Sequence, residues 1–120
     1  MHEVSIASEI LRVCQAEVER HGGGLLEAVR VDIGELSAVE PDLLVFAWAG
    51  LLADTPEEGA ELSISWCPAR QLCASCGEVE ERQPGSWLRL CPHCDGPLSL
   101  EGGRELDVRD VTFRPTSEAV

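Results

Sequence analysis

Apolar positions along the first twenty residues recur at helical spacing. Val4, Ala7, Leu11, Cys14 and Val18 follow an i, i+3, i+4 rhythm, Ile6, Ile10 and Val13 widen the stripe, and Glu9, Arg12, Glu17 and Arg20 lie largely outside it. The pattern predicts a helix over residues 4–20 with Ser5 as its N-cap, ended by His21-Gly22-Gly23-Gly24, where a glycine suits the left-handed position after a helix. Over residues 26–36 the period changes to two: Val29, Val31 and Ile33 alternate with Arg30, Asp32 and Gly34, the mark of a half-buried strand. Glu40-Pro41-Asp42 opens a second helix, Pro41 fitting its first turn. Leu44, Ala47, Trp48 and Leu51 form the stripe, Leu43 and Phe46 broaden it, and Asp54-Thr55-Pro56 ends it. Residues 60–66 alternate again, with Leu62, Ile64 and Trp66 on one face.

From Pro68 to Pro97 the pattern dissolves. This stretch holds four cysteines and four prolines but few aliphatic residues, too little apolar surface to fold without a metal. A short strand is expected over Ser86 to Leu90. Afterwards Leu106, Val108, Val111 and Phe113 make a final strand whose parity breaks at Arg109-Asp110, predicting a bulge or a change of face there. That strand is too apolar for the cysteine-rich stretch and belongs with the first half. The residues after it, Thr116 to Val120, read as a frayed end. The predicted fold class is α+β: two helices packed on a three-stranded sheet, with an inserted zinc-ribbon module. The boundaries are residues 1–67 plus 104–116 for the α+β domain and 68–103 for the insertion.

Charge narrows the function. Nine basic residues, all Arg, stand against 22 acidic ones in 120, a formal net charge of −13. Such a chain repels a phosphate backbone and an anionic membrane surface. The start Met1-His2-Glu3-Val4 lacks the features of a signal peptide, so a cytoplasmic protein is expected.

In that compartment thiols stay reduced, so six cysteines are read as metal chemistry before disulfides. Cys73-Ala-Ser-Cys76 and Cys91-Pro-His-Cys94 are two CxxC pairs separated by residues 77–90. Each pair presents two thiolates, and four close a tetrahedral site with no position for water, which gives the metal a structural role. Zinc suits such a site; iron on four sulfurs is the alternative. Cys14, on the helix stripe, reads as a small core residue, and Cys67 as a spare thiol, with a redox or auxiliary-ligand role as the alternative. His93 reads as a solvent-facing loop residue and His21 as a helix-end residue. The chain start is a second metal candidate. The Met1 α-amine, the His2 backbone nitrogen and the His2 imidazole can close two adjoining chelate rings, with the Glu3 backbone nitrogen completing a plane suited to Ni(II) or Cu(II). An exposed terminal histidine with no metal is the other reading of the same residues. No catalytic constellation is present in the sequence, so the chain is not expected to be an enzyme.

Met1-His2-Glu3 followed by Val4-Ser5-Ile6, Ile33-Gly34-Glu35-Leu36, Cys73-Ala-Ser-Cys76-Gly77, Cys91-Pro92-His93-Cys94 and the closing Leu106-Asp107-Val108 together resemble the HypA/HybF nickel metallochaperones of hydrogenase maturation. The resemblance covers essentially the whole chain. It implies that Ni(II), as transient cargo, binds at Met1, His2 and Glu3, with His2 the essential imidazole, and that a structural Zn(II) sits on Cys73, Cys76, Cys91 and Cys94. It also implies delivery to the large subunit of [NiFe] hydrogenase together with a HypB-type GTPase, service to urease maturation in some organisms, and a monomer or homodimer. A chelate on a flexible chain start could exchange its ligands without unfolding a domain, and would weaken in acid as protons compete for the imidazole and amine. The competing readings are a zinc-ribbon nucleic-acid or transcription module, disfavoured by the charge, and a rubredoxin-like iron carrier.

Overall fold

A computed structural model of the chain describes residues 2–82 and 87–116. Helix α1 spans His2–Arg20, strand β1 Gly24–Gly34, helix α2 Pro41–Leu52 and strand β2 Glu61–Cys67; β3 Arg70–Cys73, β4 Gly77–Val79 and β5 Leu98–Glu101 follow, and β6 Leu106–Pro115 closes the fold. Two three-stranded sheets result, ordered β2-β1-β6 and β4-β3-β5.

β1 is the centre of the first sheet because its alternation supplies the core: Val29, Val31 and Ile33 are all but fully buried. It pairs parallel with β2, which the chain reaches through α2, and antiparallel with β6. Ala7, Ile10, Cys14 and Val18 of α1 and Leu44, Trp48 and Leu52 of α2 close the core over one face. Trp48 satisfies its indole N–H on the Ala60 carbonyl at 3.1 Å, so a large ring is buried without an orphan donor. Arg109 is the extra residue where β6 passes β1: Arg30 faces Asp110 and Val31 faces Val108, the bulge expected from the parity break.

Several expectations change. The first helix begins at His2, which places Ser5 inside it and not at its cap, and makes the chain start a helical turn instead of flexible chain. Trp66, on the face of β2 that carries Leu62 and Ile64, is 47% exposed near the end of an edge strand. The strand expected over Ser86 to Leu90 is reduced to one bridge, Leu90 with Pro97, Ser86 itself lying outside the described residues. Of the expected frayed end, residues 117–120 lie outside them too.

The chain passes between the two sheets twice, through Pro68-Ala69 and through Gly102-Gly103, and the passes touch. A side chain at Gly34 would meet the Gly103 carbonyl carbon at 2.2 Å, and one at Gly103, where φ is +78°, would meet Ala69 Cβ at 2.7 Å. Only glycine lets these backbones approach so closely. The Gly34 N–H donates to the Glu105 carbonyl at 2.8 Å across the same crossing.

Candidate metal centres

The second sheet exists to place four sulfurs. β3 and β4 form a hairpin in which Cys73 faces Gly77, so Cys73 and Cys76 flank one tight turn, with Gly77 at φ +83°. A second turn carries the other pair: the Cys91 N–H donates to the Gly96 carbonyl at 2.7 Å and the Asp95 N–H to the Cys91 carbonyl at 2.8 Å. Gly96 lies so near the sulfurs that a side chain there would meet Cys94 Sγ at 3.3 Å. β5 then pairs antiparallel with the other side of β3 and brings the two turns together.

The Sγ atoms of Cys73, Cys76, Cys91 and Cys94 all lie within 4.8 Å of one another, and Cys73 and Cys94 are 3.5 Å apart. Thiolates about 2.3 Å from a tetrahedral zinc stand roughly 3.8 Å from each other, so the cluster fits such an ion. Cys73 and Cys91 are buried, while Cys76 and Cys94 face outward. Backbone N–H groups of Cys76 and Ser75 aim at Cys73 and bring its thiol down to about 7. Cys76 and Cys94 move the other way: hydrogen bonding to Cys94 and Cys91 pushes Cys76 up to about 12, and the Cys94 thiol is raised as well, against the Gly96 N–H that lowers it, by its hydrogen bond with Cys73. A divalent cation replaces those shared protons. The His93 N–H donates to Cys91 Sγ at 3.4 Å. Its exposed ring places Nε2 2.8 Å from Glu81 Oε2, a contact across the ribbon that no local spacing signals.

What little core the ribbon has is polar at its centre. Gln71 is fully buried; its amide donates to the Val79 carbonyl at 3.1 Å and the Glu81 carbonyl at 2.8 Å, and accepts from the Leu88 N–H at 2.8 Å. Sequence reasoning passed over this residue, since its three partners are 8 to 17 residues away. Glu35 and Arg82 were missed for the same reason. Glu35 accepts from the Ala69 N–H at 3.1 Å and pairs with Arg82 at 2.9 Å, while Arg82 also donates to the Ala69 carbonyl and lies 4.0 Å over the Trp87 ring. The four groups fasten the end of β1 to the ribbon.

At the start of α1 the described site residues are His2 and Glu3; Met1 lies outside the described residues. The His2 ring is exposed, with Nδ1 3.6 Å from Glu3 Oε2. The Glu3 carboxylate accepts the Glu40 N–H at 3.1 Å, and Glu40 is the N-cap of α2, so one side chain ties the beginnings of both helices together. That N–H holds the Glu3 carboxyl below the usual carboxylate range. Backbone N–H groups in the first turn of a helix have no intrahelical acceptor, so those of His2 and Glu3 can be given up to a metal without breaking the helix ladder.

Cys14 and Cys67 stand outside the four-thiol cluster. Cys14 is buried in the core as expected, and burial pushes its thiol up to about 11. At the end of β2, burial and then the Glu105 and Asp32 carboxylates raise the Cys67 thiol, leaving it a poor nucleophile.

A four-thiol ribbon carried by a small helix-covered sheet, with an imidazole at the first helical turn, defines a metal-handling protein. The family described as hydrogenase/urease nickel incorporation, metallochaperone, hypA matches residues 1–113. The hydrogenase maturation factors HypA of Chlorobaculum parvum and Geobacter metallireducens are 34% and 35% identical to the chain; the alignments cover 94% and 92% of it and 99% and 97% of those proteins. The solution structure of the Ni metallochaperone HypA from Helicobacter pylori shares the fold, with a TM-score of 0.61 at 21% identity, over 94% of this chain and 97% of that one. The chain belongs to the HypA family of nickel-incorporation metallochaperones.

Proposed function

We propose that this chain binds Ni(II) at its N-terminus and hands it on during maturation of [NiFe] hydrogenase, without catalysing a reaction itself. His2 supplies the imidazole, Met1 the amine, and the backbone nitrogens of the first turn complete a planar set. The Glu3 side chain supports the site by holding α1 against α2, since its carboxylate is already engaged by Glu40. Cys73, Cys76, Cys91 and Cys94 hold a structural Zn(II). Geometry separates the metals: a nitrogen plane selects nickel, a thiolate tetrahedron selects zinc. Residues 1–67 plus 104–116 act as the nickel-binding domain and residues 68–103 as the zinc-binding insertion. The partners are a HypB-type GTPase and the hydrogenase large subunit, met in the cytoplasm.

The observation that carries this reading is the exposed His2 ring beside first-turn amides that the helix leaves free, in a chain of this family. The test is a calorimetric nickel titration of zinc-loaded protein beside His2→Ala, with zinc measured in both. Loss of nickel binding with zinc still near one per chain is expected. Unchanged binding would move the nickel site to the ribbon or another histidine.

A further inference from the structure

α2 is almost without polar residues. Asp42 is its one charged side chain, and a helix apolar all round is ordinarily buried all round. Its buried stripe is Leu44, Trp48 and Leu52. The outer face leaves Phe46 78% exposed, with Leu43 at 53% and Val45 at 42%. α1 differs, since it turns Glu9, Arg12, Glu19 and Arg20 to solvent.

Leu43, Phe46 and Gly50 fall at i, i+3 and i+7, one row along α2. With Glu3 and Val4 from the start of α1 they line a groove of about 340 Å³. A side chain at Gly50 would meet nothing within 4 Å. Glycine is a poor helix former, and packing within the chain does not ask for it here. The gap opens the helix backbone to close approach from outside.

Charge selects the occupant. Between Arg30 and Arg70 the sequence has no basic residue. Glu40 and Asp42 at the start of α2 and Asp54 and Glu58 beyond its end are exposed, and none of them has an ion-pair partner among the described residues. The later two add to the negative end of the helix dipole. An apolar row about 18 Å long thus has carboxylates at both ends.

We infer that the outer face of α2, with the first turn of α1, docks an amphipathic helix of a partner protein. That helix carries bulky apolar side chains at i, i+3 or i+4 and i+7, and Lys or Arg at both ends. A second copy of this chain is the wrong occupant. Antiparallel pairing of two such faces would set Glu40 and Asp42 against Asp54 and Glu58, and parallel pairing would set each end against its like. An anionic lipid surface meets the same repulsion. Glu3 and Val4 wall the groove and follow His2 in the chain, so the docked helix lies against the turn that carries the imidazole. That placement gives the face its use in nickel delivery and rests on the function proposed above; the docking itself rests on α2.

A synthetic helical peptide of about 18 residues tests it, with Leu at those spacings, Lys at both ends and a fluorescent label. Titrated into the zinc-loaded, nickel-free chain, it should bind, more weakly as salt is raised. It should shift the amide NMR signals of residues 3–4 and 43–51. The same composition in scrambled order should bind roughly tenfold more weakly or worse, and so should the native peptide on chains carrying Phe46→Ser or Gly50→Gln. Gly50→Gln favours the helix, so its effect cannot come from unfolding; circular dichroism and zinc content are checked for both variants. Asp42→Lys with Glu58→Lys should reverse the preference towards a Glu-ended peptide. Phe46→Ser should still bind nickel as the native chain does, and His2→Ala should still bind the peptide, which separates this inference from the nickel site. Equal peptide affinity in the native chain, Phe46→Ser and Gly50→Gln overturns it, as do NMR shifts confined to other residues. Self-association that Phe46→Ser abolishes, with no peptide binding, would make a second copy the occupant, and capture by phosphatidylglycerol vesicles that Phe46→Ser abolishes would make it a membrane; either result overturns the inference.

Discussion

Glu3 shows how much one side chain can decide beside a metal-binding position. Its carboxylate accepts the Glu40 N–H at 3.1 Å, and that hydrogen bond holds its carboxyl below the ordinary range. A carboxyl that is more acidic folded than unfolded contributes stability above the ordinary carboxylate range, and loses it as pH falls through the lowered value. Glu3→Gln keeps an acceptor and discards the charge. Melting temperatures of the two proteins should therefore differ at neutral pH and converge in acid, and a difference independent of pH would mean that the charge has no part in the tie. His2 next door was legible as a ligand from residue type and position alone. The occupation of the Glu3 carboxylate was not, because its partner is 37 residues away.

Among the elements, the ribbon is held by two devices of different kinds. Its thiol cluster draws its order from a metal, whereas the buried Gln71 amide fastens β3 to Val79, Glu81 and Leu88, ahead of the second knuckle, through three hydrogen bonds. Gln71→Leu removes the amide from the part-buried Leu88 N–H and Glu81 carbonyl and from the buried Val79 carbonyl, and a buried group left unpaired costs about 1–3 kcal/mol. Faster loss of zinc to a chelator is the expected reading, with the melting of α1, α2 and β1 little changed. A zinc-transfer rate equal to that of the native chain would show that the thiol cluster orders the ribbon unaided. The two CxxC pairs announced the cluster by spacing; the glutamine carried no local signal, since a buried amide is recognised only by partners that the fold supplies.

As a whole molecule the protein is long and flat, 66 × 29 × 16 Å, which follows from two small sheets that share no core. Among the described residues one apolar cluster lies under α1 and α2, and the other is Cys73, Val79 and Cys91 with Leu98 packed against them. A cluster that small cannot offset the conformational entropy of its own chain. Zinc removal by a strong chelator should therefore unfold residues 70–101 while the helices and β1 persist. Amide exchange measured by mass spectrometry should show protection lost in β3, β4 and β5 and kept in β1, and uniform protection in the metal-free chain would contradict this. Any disturbance that does reach the first sheet has a route on the page, through Arg82 to Glu35 at the end of β1 and through the close crossing of Gly34 with Gly103.

Periodicity and residue chemistry acting over a few neighbours were enough for much of this protein. The stripe through Ala7, Cys14 and Val18, the alternation of Val29, Val31 and Ile33, the parity break at Arg109 and the paired CxxC turns each follow from contacts that a short stretch of chain dictates. Where α1 begins was misjudged, because Ser5 resembles a cap only while the tie from Glu3 to Glu40 is unknown. The order β2-β1-β6, the exposure of Trp66, the Gln71 and Arg82 fastenings and the free edge of β6 were settled by tertiary structure alone. Each depends on residues far apart in sequence meeting in space, and hydrogen bonds, ion pairs and strand neighbours leave no mark on the local pattern of apolar and polar positions.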